Sequence, residues 1–196
     1  MGEKDKKIQR NRGMTYVELI VVLSIFSVLS SVAIFNYSGF QARVDIKNLA
    51  SDIAIKVVEA QKSALAGVLP PSGFNFIPTW KPSYGVYFDI TTQSQFVYFV
   101  DLNNFNGYEP SNNETLDTIS ITKNNTISSL EACYAVPCVP TSLNNLAIYF
   151  SRPNSGAVIN TTPVVPAPSY VQITARSPQG AYSLIKLYPS GRVEVK

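Results

Sequence analysis

Arg12-Gly13-Met14-Thr15-Tyr16-Val17-Glu18-Leu19 stands where a basic segment meets a long uncharged run. That run, Leu19 to Ala42, holds 24 residues without Asp, Glu, Lys or Arg. Crossing a bilayer takes about 20 apolar residues, so the run is long enough to form a membrane span. A carboxylate inside such a span costs roughly 2.5–3.5 kcal/mol on insertion scales. Glu18 is therefore predicted to be functional and to need a positive partner, which cleavage after Gly13 would supply as a free amine.

The same stretch resembles the class III signal of type IV prepilins and pseudopilins. In that family a basic leader ends in Gly, the chain is cut there, and Glu is the fifth residue of the apolar helix that follows. Gly13, Met14 and Glu18 match this pattern. The resemblance implies that a separate membrane aspartic peptidase cleaves after Gly13 and that Met14 is then N-methylated. This chain would be the substrate of the prepilin peptidase/N-methyltransferase and not itself an enzyme.

The resemblance also implies a role for Glu18 in assembly. Its carboxylate would pair with the N-terminal amine of Met14, at first within the chain and then in a neighbouring subunit. The alternative is a Glu at the membrane edge that has no role in assembly. A signal-anchored surface enzyme is a third alternative with little support, because the sequence has no His, no metal-ligand cluster and no nucleophile motif.

The charge of the chain belongs to its first residues. Residues 1–13 hold five basic and two acidic residues, so they carry the whole formal net charge of +3. Positive charge before an apolar helix keeps the N-terminus in the cytoplasm, with the rest of the chain outside. The family resemblance implies the bacterial inner membrane, with its lipid, and then a surface or periplasmic filament. The neutral remainder makes broad electrostatic binding of nucleic acid unexpected.

A removable secretory signal is the alternative for the uncharged run, with a cut after Ala33. Such signals have apolar regions of about 7–15 residues, and this run is longer, so we expect the helix to be retained. Apolar residues then continue at helical spacing, and they are Ile46, Leu49, Ala50, Ile53, Val57, Ala60 and Ala64. Gly67 and Pro70-Pro71 follow as stop signals. The prediction is one helix from Tyr16 to Ala66, with residues 14–42 in the membrane and residues 43–66 amphipathic.

Residues 67–196 are predicted to form a β-rich head. Eight segments show strand patterns between turn residues: Tyr84 to Ile90, Gln95 to Val100, Thr115 to Ile121, Leu146 to Ser151, Gly156 to Thr161, Tyr170 to Arg176, Ala181 to Tyr188 and Arg192 to Lys196. The predicted fold class is α+β. A long N-terminal helix would pack through its amphipathic half on an antiparallel sheet or sandwich, a pilin-like fold.

The head resembles that of GspH/FimT-type minor pseudopilins. The resemblance rests on Ser51-Asp52-Ile53, on the strands Tyr84 to Asp89 and Phe96 to Asp101, and on the hairpin Pro189 to Glu194. It implies a minor structural subunit of a type IV pilus or a type II secretion pseudopilus. Its partners would be other pilin or pseudopilin subunits and the inner-membrane assembly platform. The alternatives are a major pilin and a DNA-binding minor pilin of the uptake machinery.

The two cysteines, Cys133 and Cys138, would lie outside the cytoplasm, where disulfides persist. Their short spacing across a Pro-containing loop favours a disulfide over two free buried thiols. Without His, the common zinc sites and the His-based triads are excluded. No cofactor or metal site is predicted.

Two further segments carry weaker signals. Asp101 to Gly107 is rich in acids and amides, but Phe105 stands where an EF-hand needs an oxygen ligand, so a plain turn is predicted. Some members of the resembled group bind DNA through a basic Gly-Arg-x-Arg tail. Here Glu194 replaces the second basic residue, which leaves Arg192 and Lys196 as possible weak contacts with DNA. The tail is predicted to be an edge strand with solvated charges.

Overall fold

The computed structural model describes residues 13–74, 81–103, 107–134 and 138–196, apart from the side chains of Phe35 and Asn36. The chain divides into two compact units, Met1–Phe40 and Gln41–Lys196. In the described part of the chain, one long helix is followed by ten strands and a short 3-10 turn.

The helix α1 (Tyr16–Ala66) begins and ends at the predicted residues. It ends at a left-handed glycine, Gly67, with φ of 65°. The Val68 amide donates to the Ser63 carbonyl and the Gly67 amide to the Ala64 carbonyl, both at 3.1 Å. These two bonds form a Schellman motif, which satisfies carbonyls that the last turn would otherwise leave unpaired.

One stripe of α1 is buried in the second unit. It recurs every three or four residues and consists of Ala42, Ile46, Ala50, Ile53, Val57, Ala60 and Ala64. Of the predicted core positions on the helix, only Leu49 is not fully buried; it packs at the edge of the core. The 3.6-residue period of these apolar side chains therefore identified the helix face that packs in the core.

The ten strands form two five-stranded sheets, and all pairs are antiparallel. Sheet A has the order β3-β2-β1-β6-β7. Its strands are β1 (Ser83–Asp89), β2 (Gln95–Asp101), β3 (Thr115–Ser120), β6 (Asn145–Phe150) and β7 (Ala157–Thr162). Sheet B has the order β10-β9-β8-β4-β5. Its strands are β4 (Thr126–Cys133), β5 (Pro140–Ser142), β8 (Tyr170–Arg176), β9 (Tyr182–Leu187) and β10 (Val193–Val195). The α+β class and the antiparallel sheets are confirmed.

All eight predicted strands are present, with ends shifted by a few residues, but β4 and β5 were not predicted. The register of β4 shifts between Ile127 and Ser129 where it pairs with β8. Such a bulge adds a residue, so the buried side chains Ile127 and Leu130 stand three apart and the period of two is lost. Glu and Ala, which also occur in β4, are depleted in strands. The three-residue β5 follows β4 in sheet B and has no pattern of its own.

Polar contacts fasten the second half of α1 to the strands and loops of its unit. The Tyr98 hydroxyl donates to Ser63 Oγ at 3.3 Å, and the Tyr84 hydroxyl to the Val68 carbonyl at 2.9 Å. Burial raises the pKa of Tyr84 to about 12. Lys123 Nζ lies 2.5 Å from Asp45 Oδ1, and this hydrogen bond lowers the pKa of Asp45. These contacts lie at both ends of the buried stripe.

Gly85 in β1 is required by close packing, and Gly85→Ala is expected to destabilise the unit by about 3 kcal/mol or more. An added Cβ would lie 2.5 Å from the Ile148 carbonyl oxygen, 2.6 Å from Tyr149 Cβ and 2.7 Å from Phe99 Cε1. Urea unfolding of the full-length protein in detergent measures the change. The control is Gly39→Ala, where nothing lies within 4 Å of the added methyl group. Equal stabilities of the two variants would contradict the packing described.

Candidate functional site at the start of the helix

The first turn of α1 is closed by two reciprocal hydrogen bonds between Thr15 and Glu18. The Glu18 amide donates to Thr15 Oγ1 at 3.3 Å, and the Thr15 amide donates to Glu18 Oε2 at 3.5 Å. This arrangement is a capping box, in which a Thr and a Glu three residues later satisfy amides that the helix itself leaves unpaired. The carboxylate of Glu18 is therefore turned back toward the residues that precede the helix.

The residues before the cap are exposed and uncrowded. Gly13 and Met14 lie outside the helix, and 61% of the Met14 surface is exposed. A Cβ built on Gly13 would meet no described residue within 4 Å. Among the residues that the structure describes, nothing therefore obstructs the peptide bond between Gly13 and Met14. The rest of the predicted leader, residues 1–12, lies outside the described residues.

The Glu18 carboxylate lies close to the position that the N-terminal amine would occupy in a chain beginning at Met14. Its carboxylate contacts the amide of Thr15, which is the residue bonded directly to Met14. An ionised carboxylate has two oxygens and about four acceptor positions, so the bond to Thr15 leaves capacity for an ammonium group. The positive end of the helix dipole adds a small attraction for the same carboxylate.

Beyond Glu18, the first half of α1 presents apolar side chains that no described residue of its unit covers. The large ones that are exposed include Leu19, Ile20, Val21, Val22, Leu23, Ile25, Phe26, Val28, Leu29, Val32, Ile34 and Phe40. Among the described residues, α1 is the one helix long and apolar enough to cross a membrane. Covering this apolar surface with lipid or with other apolar helices removes it from water, which is energetically favourable.

The predicted disulfide between Cys133 and Cys138 is present. Cys133 is the buried last residue of β4, and Cys138 lies two residues before β5. The bond therefore ties together the two paired strands that end sheet B. Residues 135–137 between them lie outside the described residues.

Removing this disulfide is expected to cost about 2 kcal/mol of unfolding free energy, because a short closed loop restricts the unfolded chain by about that amount. The sequence separation of the two cysteines is 5. The test is the double variant Cys133→Ser/Cys138→Ser, compared with the wild type by urea unfolding with and without a reductant. Reduction should lower the stability of the wild type and leave the variant unchanged. An unchanged wild type would contradict a stabilising bond.

The two cations proposed to touch DNA both lie beside Glu194. Lys196 Nζ is 3.2 Å from Glu194 Oε1, and Arg192 Nη2 is 3.9 Å from Oε2. The guanidinium of Arg192 also lies 3.9 Å from the centre of the Tyr188 ring. A hydrogen bond from Tyr188, followed by one from Lys196, lowers the pKa of Glu194. The Glu194 carboxylate is therefore ionised at neutral pH. Its negative charge offsets the positive charge of Arg192 and Lys196 that would attract a phosphate. The tail strand β10 forms an edge of sheet B.

The segment from Asp101 to Gly107 lies partly outside the described residues, which omit 104–106. Glu114, which follows this segment, is buried and accepts hydrogen bonds from the amides of Leu102 at 3.3 Å and Glu109 at 2.7 Å. Burial is the main cause that raises the pKa of Glu114. Within the described ranges, no three His, Cys, Asp or Glu residues are grouped so that they could hold a metal ion. The Glu114 carboxylate closes a backbone loop.

Comparison of the chain with protein-family models, with curated proteins and with solved structures found no match. Thr15 was not among the predicted site residues, although Thr15-x-x-Glu18 before an apolar run is a recognisable capping-box pattern. No local pattern identifies Glu114, because its partners lie in two different parts of the loop.

Proposed function

We propose that this chain is a structural subunit of a type IV pilus or of a type II secretion pseudopilus. It is of the minor, GspH/FimT-like kind and has a pilin-like fold. One observation carries the proposal: an accessible Gly13–Met14 bond directly precedes a helix whose first half is apolar and uncovered and whose second half is buried in a β-rich unit. Glu18 is the single carboxylate at the start of that apolar half.

Processing is the first step of the proposed function. The apolar half of α1 inserts into the bacterial inner membrane with residues 1–13 on the cytoplasmic side, as the positive charge of that segment favours. A prepilin peptidase cuts after Gly13, and the new terminus at Met14 is methylated. The chemistry is done to this chain by another enzyme, and the chain supplies an unobstructed backbone and a positively charged amine.

Assembly is the second step. Apolar helices leave the bilayer and pack against one another at the inner-membrane platform, which keeps their side chains away from water. In that packed environment Glu18 of one subunit pairs with the amine of Met14 in a neighbour. A charge left without its partner in such a place costs about 3–5 kcal/mol. The pair therefore fixes how far one helix slides along the next.

A DNA-uptake subunit is the less favoured candidate. Non-specific binding of DNA depends on cations that neutralise phosphates, and Arg192 and Lys196 both lie beside an ionised Glu194. A major pilin is distinguished from a minor one by abundance in the filament.

The proposed function is tested by quantitative mass spectrometry of purified filaments from the native host. The expected result is that peptides of this chain copurify with filaments, at far fewer copies than the most abundant subunit. A copy number equal to the main subunit would make it a major pilin. Complete absence from filaments, with the protein present in the membrane, would overturn the proposed function.

A further inference from the structure

Four Asn-x-Ser/Thr triplets, in which x is not Pro, occur in the chain, and they begin at Asn36, Asn113, Asn124 and Asn160. Such a triplet is the acceptor signal for N-glycosylation and is expected on a surface loop of a protein outside the cytoplasm. The fold decides which of these four asparagines meet that condition.

Two of the four triplets are poorly placed for a glycan. Asn36 stands in the uncharged run Leu19 to Ala42, which is long enough to span a membrane. Asn160 lies inside strand β7, is partly buried, and its side chain hydrogen-bonds Tyr149. A glycan is bulky, so one on that amide would crowd the contact with Tyr149.

Asn113 stands on an exposed turn. It follows the short 3-10 turn Pro110–Asn112 in the left-handed conformation, with φ of 57°, and asparagine adopts that conformation more readily than most residues. Asn113 is exposed, and within the described ranges its side-chain amide has no hydrogen-bond partner. Buried Glu114 comes next, and Thr115 begins β3. The fold therefore leaves this amide in solvent.

Asn124 stands on a second exposed turn. Lys123 and Asn124 both have positive φ, 61° and 55°, and the Asn125 amide donates to the Thr122 carbonyl at 3.2 Å. Two left-handed residues inside such a hydrogen bond are typical of a type I′ turn. Asn125 is buried, whereas Asn124 is exposed and its amide contacts no hydrogen-bonding group of the described residues.

The two turns lie at opposite ends of β3, which is the end strand of sheet A in the described part of the chain. Its Asp117, Thr118 and Ser120 are exposed. An end strand leaves backbone donors and acceptors open to pairing with another chain. A hydrophilic glycan at each end of β3 would stand beside this open edge and hinder such pairing.

We propose that Asn113 and Asn124 carry N-linked glycans. The proposal rests on the proposed orientation, which places residues 43–196 outside the cytoplasm, and not on entry into filaments. Transfer precedes folding, because Glu114 and Asn125, the middle residues of the two triplets, are buried in the folded turns.

The donor is an oligosaccharide joined through phosphate to a polyprenyl lipid, and a separate membrane transferase catalyses the step. The asparagine Nδ2 forms a bond to C1 of the first sugar. The bond between C1 and the phosphate oxygen breaks, and its electron pair leaves with the lipid phosphate. One amide proton is released, so the step needs no oxidant or reductant.

The test is peptide mass spectrometry of the protein extracted from its native membrane. We expect peptides with Asn113 and Asn124 to carry the same added saccharide mass, and peptides with Asn36 and Asn160 to carry none. Bare Asn113 and Asn124 would overturn the proposal. Modification of Asn160 in their place would overturn the selection of acceptors by exposure.

The same sample separates this proposal from the proposed function. A chain that begins at Met14, with the Cys133–Cys138 disulfide formed but without glycans, would overturn the glycans and leave the filament subunit standing. A glycosylated chain that keeps its leader would support the glycans and count against prepilin processing. Bare asparagines together with reduced cysteines would overturn the orientation and the glycans with it.

Four variants expressed in the native host locate the glycans. Asn113→Asp and Asn124→Asp remove the acceptor nitrogen and keep a residue that tolerates the left-handed conformation, so each should lower the intact mass by one glycan. Thr126→Val removes the hydroxyl of the second triplet and should lose the Asn124 glycan. Its matched control, Thr126→Ser, keeps a hydroxyl and should keep the glycan. Equal glycosylation of Asn124 in both Thr126 variants would contradict recognition of the triplet.

Discussion

Replacing Gly13 by Val is expected to abolish cleavage of the leader, so that the full-length precursor accumulates in the membrane. A peptidase that cuts at this bond needs close access to the backbone, and glycine provides it because it has no side chain. The described part of the fold does not need glycine here, since an added Cβ meets none of its atoms within 4 Å. Loss of cleavage would therefore report on recognition by the peptidase and not on folding. Immunoblotting or intact mass of membrane extracts measures the precursor and mature forms.

The matched control for this substitution is Gly39→Val. Gly39 also has nothing within 4 Å of an added Cβ, and it lies in the same uncharged run. The expected result is normal cleavage of Gly39→Val beside blocked cleavage of Gly13→Val. Normal processing of Gly13→Val would remove Gly13 from the proposed cleavage site.

The second large effect is expected at Glu18, where two substitutions separate two roles. Glu18→Gln keeps a side chain that completes a capping box, since Gln serves there as Glu does, but it removes the charge. Glu18→Ala removes both. If the carboxylate pairs with a neighbour's amine, both variants insert and are cleaved, yet neither enters filaments. Loss of one partner of a buried pair, about 3–5 kcal/mol, lowers the assembly equilibrium by at least about a hundredfold.

Thr15→Ala provides the complementary control. It removes the hydroxyl that caps the Glu18 amide but leaves the charge of Glu18 in place. The cost to the helix is about 1 kcal/mol, and filament incorporation should remain close to that of the wild type. The measurement is the amount of each variant in sheared filaments relative to the membrane fraction. Wild-type incorporation of Glu18→Gln would show that Glu18 serves only as a cap.

Local sequence patterns predicted the parts of this molecule that depend on neighbouring residues. The helix end followed from Gly67, which adopts the left-handed conformation of a Schellman motif. The buried stripe followed from spacings of three and four between residues such as Ile46 and Ile53. Eight strands followed from alternation and turn residues. In each case the cause lies within a few residues of its effect.

The parts that were missed depend on residues far apart in the chain. A bulge in β4 breaks the alternation that would have revealed it, and pairing with β8 stabilises it despite weak propensity. Sheet A places β1 beside β6, an order that no local pattern encodes. Glu114 stabilises the structure only because the amides of Leu102 and Glu109, which are distant from it in the sequence, donate to its carboxylate.

The most direct test of the central claim is the intact mass, with N-terminal fragmentation, of the protein extracted from its native membrane. We predict a chain that begins at Met14 and carries one extra methyl group. A chain that begins at Met1 or Gly2 would make it a signal-anchored protein without prepilin processing. A chain that begins after Ala33 would lack Glu18 and most of the apolar half of α1, and it would contradict assembly through that helix.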